Sequence, residues 1–263
     1  MSDTRSNLAV DSCDCVLRVR IDRAEKRNAL SSALLAELAQ VFTAHASDST
    51  LKAAVLSGAG DKAFAAGGDL HEFARIRDEE GARALFEGAS RALEAVRGFP
   101  VPVVAALNGL AVGGGAELAV ACDFRIAAAH AAIGFVHARL NISSGFGGGT
   151  DLMRLLGPGR ALMCALRAEI FPAEKAKAIG LVDEVAAAGE SLDDCVARFL
   201  EPVLRQAPQV IRSYKAMASA ERQGLPADAR WRTERAGFVA TWLHPDHWAA
   251  ADRVLDKGRD ASK

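Results

Sequence analysis

The sequence predicts an α/β fold with a C-terminal helical segment. Residues 101–107 form an apolar run with the length and β-branched content of a buried strand, and similar runs recur along the chain. Helical patterns separate these runs, and this alternation favours largely parallel strand pairing. From Ser191 onward the pattern is helical, and three prolines interrupt it, namely Pro208, Pro226 and Pro245.

Hydrophobic periodicity assigns the individual elements. Apolar and polar residues alternate over 15–21, as in a half-buried strand. Ser31 is placed to cap a helix that runs to about Ser47, with its leucines on one face. The remaining strands are expected near residues 53–56, 101–107, 122–127 and 133–135, and the remaining core helices near 81–97, 116–121 and 151–156.

These elements divide the chain into three expected segments. Residues 1–12 are expected to be a flexible N-terminal tail. Residues 13–195 carry the alternating strands and helices of an α/β core, and residues 196–263 form the helical segment. With half of its 263 residues hydrophobic, the chain can bury a sizeable core.

Composition excludes several classes of function. A net charge of −1 argues against a nucleic-acid-binding surface. The five cysteines are scattered, and Cys13 and Cys15 lack the spacing of a metal finger, so reduced thiols and no metal site are expected. Residues 1–7 have no apolar signal core, and the most apolar span, 100–122, is interrupted by Asn108 and Glu117. We therefore expect a cytoplasmic protein with no membrane partner.

Two glycine-rich turns are the candidate functional elements. One joins the strand at 101–107 to a helix that contains Glu117, and the other lies at residues 64–70. A strand, a glycine turn and a helix N-terminus bring unpaired N–H groups together, where they can hold an oxygen that carries negative charge. Glu117 would lie close to that oxygen. The alternative is a tight turn in the core, with Glu117 facing solvent.

Several motifs in register resemble the signature of the enoyl-CoA hydratase/isomerase (crotonase) superfamily. They occur in the order and spacing of that family across roughly residues 15 to 257. The matching segments are the loop Arg23–Leu30, Phe64–Leu70, Asn108–Leu118, Ala121–Arg125, the glycine run at 145–149, and Ala178–Val182.

The resemblance implies a spiral of ββα units, a C-terminal segment that makes trimer or hexamer contacts, and a coenzyme A thioester as substrate, with no separate cofactor. It also implies that the N–H groups of Gly68 and Gly114 form an oxyanion hole for an enolate, which fits two turns without obstructing side chains. The implied substrate contacts are Gly114 and the segment Ala66, Gly67, Gly68, Asp69 and Leu70, with Lys26 and Arg27 near the nucleotide phosphates. For Lys26 and Arg27, solvated surface charge is an equal alternative, and Asp69 is also placed to cap a helix.

The sequence departs from the family pattern at one catalytic position. Hydratases of this family use two glutamates around one water, and Glu117 matches the first. His137 stands where the second is expected, and no glutamate lies between Glu117 and Glu169. Ser143 and Ser144 replace an apolar residue and a proline. His137 can act as acid or base, or it can be a structural residue at a strand end.

A closer resemblance is to the ethylmalonyl-CoA decarboxylase branch, through the combination of Gly113–Leu118, Ala121–Arg125, Phe135–His137 and Pro208–Arg212. Loss of CO2 from a malonyl-type thioester yields the enolate directly, so the site needs an oxyanion hole and one acid. Either Glu117 or His137 could be that acid, and a nearby substrate carboxylate would raise the pKa of Glu117. Decarboxylation is thus the leading hypothesis, and hydration by a Glu117–His137 pair is the alternative. RNA binding is less favoured, because the sequence contains no lysine-rich helix of the kind that it would need. A catalytically silent oligomer is also less favoured.

Overall fold

Ten β-strands form two sheets in residues 6–260, the part of the chain that the computed structural model describes. The larger sheet has the strand order β1-β2-β3-β5-β7-β10, and the smaller has the order β4-β6-β8-β9. The strands are β1 Leu8–Cys13, β2 Val16–Ile21, β3 Ala53–Gly58, β4 Ala63–Ala65, β5 Val103–Leu107, β6 Leu110–Val112, β7 Phe124–Ala127, β8 Ala132–Gly134, β9 Phe171–Pro172 and β10 Glu184–Val185.

The larger sheet is parallel except at its first edge. There β1 pairs antiparallel with β2, and the turn between them is formed by Asp14 and Cys15, both at positive φ. The expectation of a flexible tail over residues 1–12 is therefore wrong for Leu8–Ser12, which lie in β1; residues 1–5 lie outside the described residues. The residues of β1 are largely exposed and do not alternate between apolar and polar, so the sequence did not predict this strand. Its backbone is held by hydrogen bonds to β2.

The smaller sheet places the two glycine turns side by side. Strands β4 and β6 are parallel neighbours, and one glycine turn follows each of them. The three-residue strand β6 was not expected from the sequence, because it is short and lies between glycines. The described chain also contains eleven α-helices. They are α1 Ser32–His45, α2 Leu70–Phe73, α3 Glu79–Arg97, α4 Gly114–Ala121, α5 Gly148–Leu156, α6 Pro158–Arg167, α7 Ala173–Ala178, α8 Leu192–Leu204, α9 Pro208–Arg222, α10 Ala227–Trp242 and α11 Pro245–Asp260.

Helices α1 and α3 cover one face of the larger sheet. The Ser31 hydroxyl caps α1 by accepting from Leu34 N at 3.3 Å, as the sequence predicts. The edge of Phe42 in α1 meets the ring of Phe99, with centroids 5.2 Å apart. Phe99 lies two residues after Arg97, the last residue of α3, so the burial of these two rings fixes the C-terminal end of α3 against α1.

The C-terminal helices begin within the core. Helix α8 packs Cys195 and Leu200 against the larger sheet, so the expected boundary at residues 195 and 196 falls inside a helix and is not a structural break. Helix α10 buries no residue, and Trp231, Phe238 and Trp242 on it are exposed. No helix within residues 6–260 combines the length and the apolar character needed to span a bilayer.

Candidate active site

Glu117 lies on α4 and is fully buried. Helix α4 approaches β4 so closely that a Cβ on Gly115 would lie 2.0 Å from the carbonyl oxygen of Ala65. This packing carries the side chain of Glu117 inward. The alternative in which Glu117 faces solvent is therefore wrong.

Protein donors fill the hydrogen-bonding capacity of the Glu117 carboxylate. A carboxylate offers about four lone-pair positions, and five donors approach this one. They are Ser144 Oγ, Phe146 N at 3.0 Å and Gly148 N at 3.0 Å on Oε1, and His137 Nε2 at 2.9 Å and Gly145 N at 3.4 Å on Oε2. The glycine loop at 145–148 thus wraps the carboxylate, and Ser144, which the sequence did not indicate as a partner, completes it.

These donors decide the protonation of Glu117. Burial acts most strongly and raises the pKa of the carboxyl group, but the hydrogen bonds from His137, Ser144 and Phe146 and the charge of His137 together hold the pKa below its ordinary value. Without substrate, Glu117 is therefore a carboxylate at neutral pH. The rise in the pKa of Glu117 that is expected from the sequence depends on a substrate carboxylate bound beside it, and it stays a prediction.

His137 lies between Glu117 and the glycine turn that precedes α4. It begins a short 3-10 helix, His137–Leu140, and its side chain is 12% exposed. Because a carboxylate only accepts hydrogen bonds, Nε2 carries the proton that faces Glu117. Nε2 also lies 3.9 Å from the place that a Cβ on Gly113 would occupy. Within residues 6–260, no protein group is hydrogen-bonded to Nδ1.

The backbone N–H groups of Gly68 and Gly114 are free in the described part of the chain, since neither donates to a protein acceptor there. Gly114 is the first residue of α4, where the N–H has no partner within the helix. The turns are adjacent, because a Cβ on Gly67 would lie 3.9 Å from Gly114 N. Gly67 and Gly113 have φ of +97° and +54°, which favours glycine.

The ring of Phe146 packs against both donor glycines. A Cβ added to Gly114 would lie 2.4 Å from Phe146 Cε2, and one added to Gly68 would lie 3.3 Å from Phe146 Cζ. Side chains at these positions would displace the ring or the turns. Phe146 also donates its N–H to Glu117. One residue therefore connects the two turns to the carboxylate.

A buried ion pair fixes the glycine turn at residues 64–70. The Asp69 carboxylate accepts from Arg23 Nη2 at 3.0 Å, and it caps α2 by accepting from Glu72 N at 3.4 Å, as the sequence predicts. Burial raises the pKa of Asp69, but the hydrogen bonds from Arg23 and Glu72 hold it below its ordinary value. Sequence reasoning missed Arg23, because its partner lies 46 residues away.

The expected substrate contacts lie on adjoining segments. Leu30 N donates to the Gly67 carbonyl at 2.8 Å, and Ala66 N donates to the Arg27 carbonyl at 3.1 Å, so the loop at 23–30 supports the turn at 66–70. Leu70 is 58% exposed. The side chains of Lys26 and Arg27 are also exposed, which leaves their contact with phosphates a prediction.

Comparison with known proteins shows the family. Residues 12–251 match the family model described as enoyl-CoA hydratase/isomerase. A crotonyl-CoA hydratase from Syntrophomonas wolfei is 35% identical over 222 residues, which cover 84% of each chain. A short-chain-enoyl-CoA hydratase from Clostridium acetobutylicum is 34% identical over 210 residues, or 80% of each chain. The crystal structure of an enoyl-CoA hydratase from Bacillus anthracis, 33% identical, has a TM-score of 0.87 and covers 95% of this chain and 96% of that one.

This chain belongs to the enoyl-CoA hydratase/isomerase (crotonase) superfamily of enzymes. The predicted crotonase-type fold with a helical C-terminal region is confirmed by these relatives and by the structure.

Proposed function

We propose that this enzyme is a lyase that decarboxylates a short malonyl-type CoA thioester, such as ethylmalonyl-CoA or methylmalonyl-CoA. The observation that carries the proposal is the state of Glu117. Its carboxylate is filled by protein donors and is paired with an imidazole, His137, instead of a second carboxylate. Such a pair suits delivery of a proton better than the capture of a water molecule.

The reaction needs three things from the protein. The thioester oxygen accepts hydrogen bonds from the N–H groups of Gly68 and Gly114. The bond between the α-carbon and the carboxylate breaks, CO2 leaves, and the electron pair moves into an enolate whose oxygen these N–H groups stabilise. A proton from His137 then forms the new C–H bond at the α-carbon and gives the saturated acyl-CoA.

In this scheme Glu117 orients the imidazole of His137. The ionised carboxylate accepts from Nε2 at 2.9 Å, and this hydrogen bond fixes the orientation of the ring. The enzyme thus keeps a proton donor beside the oxyanion hole. Because Glu117 is itself stabilised as an anion, His137 is the acid in this assignment.

The surroundings of the site suit the rest of the substrate. We assign the adenine and pantetheine path to Ala66, Gly67, Asp69 and Leu70, and the nucleotide phosphates to Lys26 and Arg27. Coenzyme A enters as part of the substrate, so the scheme uses no further cofactor. We also assign a cytoplasmic location and a homotrimer or a hexamer built through the C-terminal helices, whose exposed aromatic residues on α10 suit such contacts.

Hydration of a 2-enoyl-CoA is the second candidate. It is favoured by the relatives named crotonyl-CoA hydratase and short-chain-enoyl-CoA hydratase. In that reaction Glu117 and His137 would hold and activate a water. Glu117 would first have to release one of its present donors, which is why decarboxylation is preferred.

The two candidates are tested by incubating the purified protein separately with ethylmalonyl-CoA, methylmalonyl-CoA and crotonyl-CoA and following the thioesters by mass spectrometry. The proposal expects loss of CO2 from one of the malonyl-type esters and no gain of water by crotonyl-CoA. Hydration of crotonyl-CoA without any decarboxylation would overturn it. Gly114→Pro, which removes one oxyanion donor, serves as the inactive control if it folds.

A further inference from the structure

One peptide group links Glu117 to a cluster of charged residues behind the site. The N–H of Gly148 donates to Glu117 Oε1 at 3.0 Å, and the carbonyl of Gly147, which belongs to the same peptide group, accepts from Arg97 Nη2 at 3.1 Å. Gly147 has φ of +87°, so the peptide takes an orientation that other residues rarely support. The guanidinium and the carboxylate therefore lie at opposite ends of one amide.

Arg97 is itself fixed by an ion pair. Its Nε donates to Asp151 Oδ2 at 2.7 Å, and Asp151 Oδ1 accepts from Arg222 Nε at 2.9 Å. The Asp151 side chain is 2% exposed, while those of Arg97 and Arg222 are 19% and 20% exposed. One carboxylate thus joins α3, α5 and the C-terminal helix α9.

The same cluster also reaches the helix that bears Glu117. Arg222 donates to the carbonyl of Val120, in the last turn of α4, where carbonyl groups lack helical partners. A cation is favourable at that end of a helix. The cluster therefore contacts α4 at its C-terminal end and the glycine loop at the Glu117 end.

The chemistry of the cluster favours a positioning role over a purely stabilising one. Buried ion pairs are weak contributors to stability, because the loss of hydration offsets much of their attraction. A guanidinium on the carbonyl of a peptide polarises the N–H of the same amide, which strengthens its bond to a carboxylate. Arg97 thereby makes Gly148 a better donor to Glu117 without touching substrate.

We propose that Arg97 is a positioning residue for the Glu117–His137 pair, acting through the Gly147–Gly148 peptide, with Asp151 and Arg222 holding its guanidinium in place. The proposal rests on the function assigned to Glu117 above. The titratable and charged groups around this arrangement are His137 on the substrate side and Arg97, Asp151 and Arg222 on the far side, where Asp123 Oδ1 also lies 3.9 Å from Arg222 Nη1.

The test compares Arg97→Gln with Arg91→Gln, a matched control at an exposed position of the same helix. The readout is the carbon-13 titration of the Glu117 carboxyl group in the full-length, substrate-free protein, assigned with Glu117→Gln. Loss of the guanidinium weakens the Gly148 N–H bond to Glu117 and removes a nearby positive charge, so the titration midpoint should rise by about half a pH unit in Arg97→Gln. Arg91→Gln should titrate like the wild type, and Arg97→Lys, with a single donor point, should lie between them.

A folded Arg97→Gln protein whose Glu117 titrates like that of the wild type would overturn the inference. If Arg97→Gln does not fold, Asp151→Asn gives the same test. This substitution removes the negative charge that orients Arg97 and keeps the size and shape of the Asp151 side chain. The titration needs no turnover. A raised midpoint with an unchanged kcat would thus support the inference and contradict the role of Glu117 in the proposed reaction, so the two can fail separately.

Discussion

His137 Nε2 lies 2.9 Å from Glu117 Oε2, and this pair occupies the place where two carboxylates are expected in a hydratase of this family. The pair combines a fully buried anion with a ring that is 12% exposed. Because the carboxylate is already filled by backbone and serine donors, its available function is to hold the imidazole. The chemistry assigned to the enzyme follows from that relationship.

Glu117→Gln should reduce kcat for decarboxylation by about 10²-fold or more, the lower end of the range for groups that support proton transfer. The amide has no negative charge with which to hold the Nε2–H of His137, and its NH2 group would face N–H donors. Binding of the CoA thioester should persist, since the oxyanion turns are unchanged. Calorimetric titration with a non-reactive thioester and steady-state kinetics check both parts; wild-type turnover would remove Glu117 from the mechanism.

Replacement of His137 separates the two candidate reactions. His137→Gln should lose most protonation of the enolate, so that decarboxylation slows by about 10²-fold. His137→Glu restores a second carboxylate and should gain measurable hydration of crotonyl-CoA while it loses decarboxylation. Parallel assays of both substrates decide the matter. If His137→Gln hydrated crotonyl-CoA as the wild type does, the imidazole would have no part in either reaction.

Gly114→Ala should impair catalysis through Phe146. The added Cβ would lie 2.4 Å from Phe146 Cε2, so the ring or the turn must move. If the turn moves, the N–H of Gly114 no longer points at the thioester oxygen. We expect a fall in kcat of about 10²-fold, comparable to the loss of one oxyanion donor. Gly114→Ala combined with Phe146→Leu, which opens space for the Cβ, should recover part of the rate. No recovery in a folded double variant would show that the clash is not the cause.

Acid should weaken the fold through Glu117. Its pKa is held below the ordinary value of 4.5, so this carboxylate contributes stability that is present above pH 4.5 and is lost as pH falls through the lower, folded value. Urea unfolding at a series of pH values should show a free energy of unfolding that declines below pH 4.5 more steeply in the wild type than in Glu117→Gln. Equal slopes would mean that Glu117 is not stabilised as an anion.

The sequence predicts the main elements of the candidate active site. The helix that bears Glu117, the two glycine turns, the cap at Ser31 and the proximity of His137 to Glu117 all follow from local patterns or from motif order. These features depend on residues near each other in sequence or on a shared family pattern. That is why they could be predicted.

The supporting contacts could not be predicted in the same way. Ser144 contacts a carboxylate 27 residues away, Arg97 contacts Asp151 across 54 residues, and Arg222 contacts Asp151 across 71 residues. Such pairs depend on how α3, α5 and α9 pack together, which periodicity does not specify. The only sequence signal was the departure at Ser143 and Ser144 from the family pattern.

The most direct measurement offers ethylmalonyl-CoA and crotonyl-CoA together to the enzyme in D2O and resolves the products by mass spectrometry. The account predicts butyryl-CoA that carries one deuterium at the α-carbon, with crotonyl-CoA unchanged, because the enolate formed by loss of CO2 takes its proton from His137. Conversion of crotonyl-CoA to a deuterated hydroxyacyl-CoA, with ethylmalonyl-CoA intact, would contradict the account.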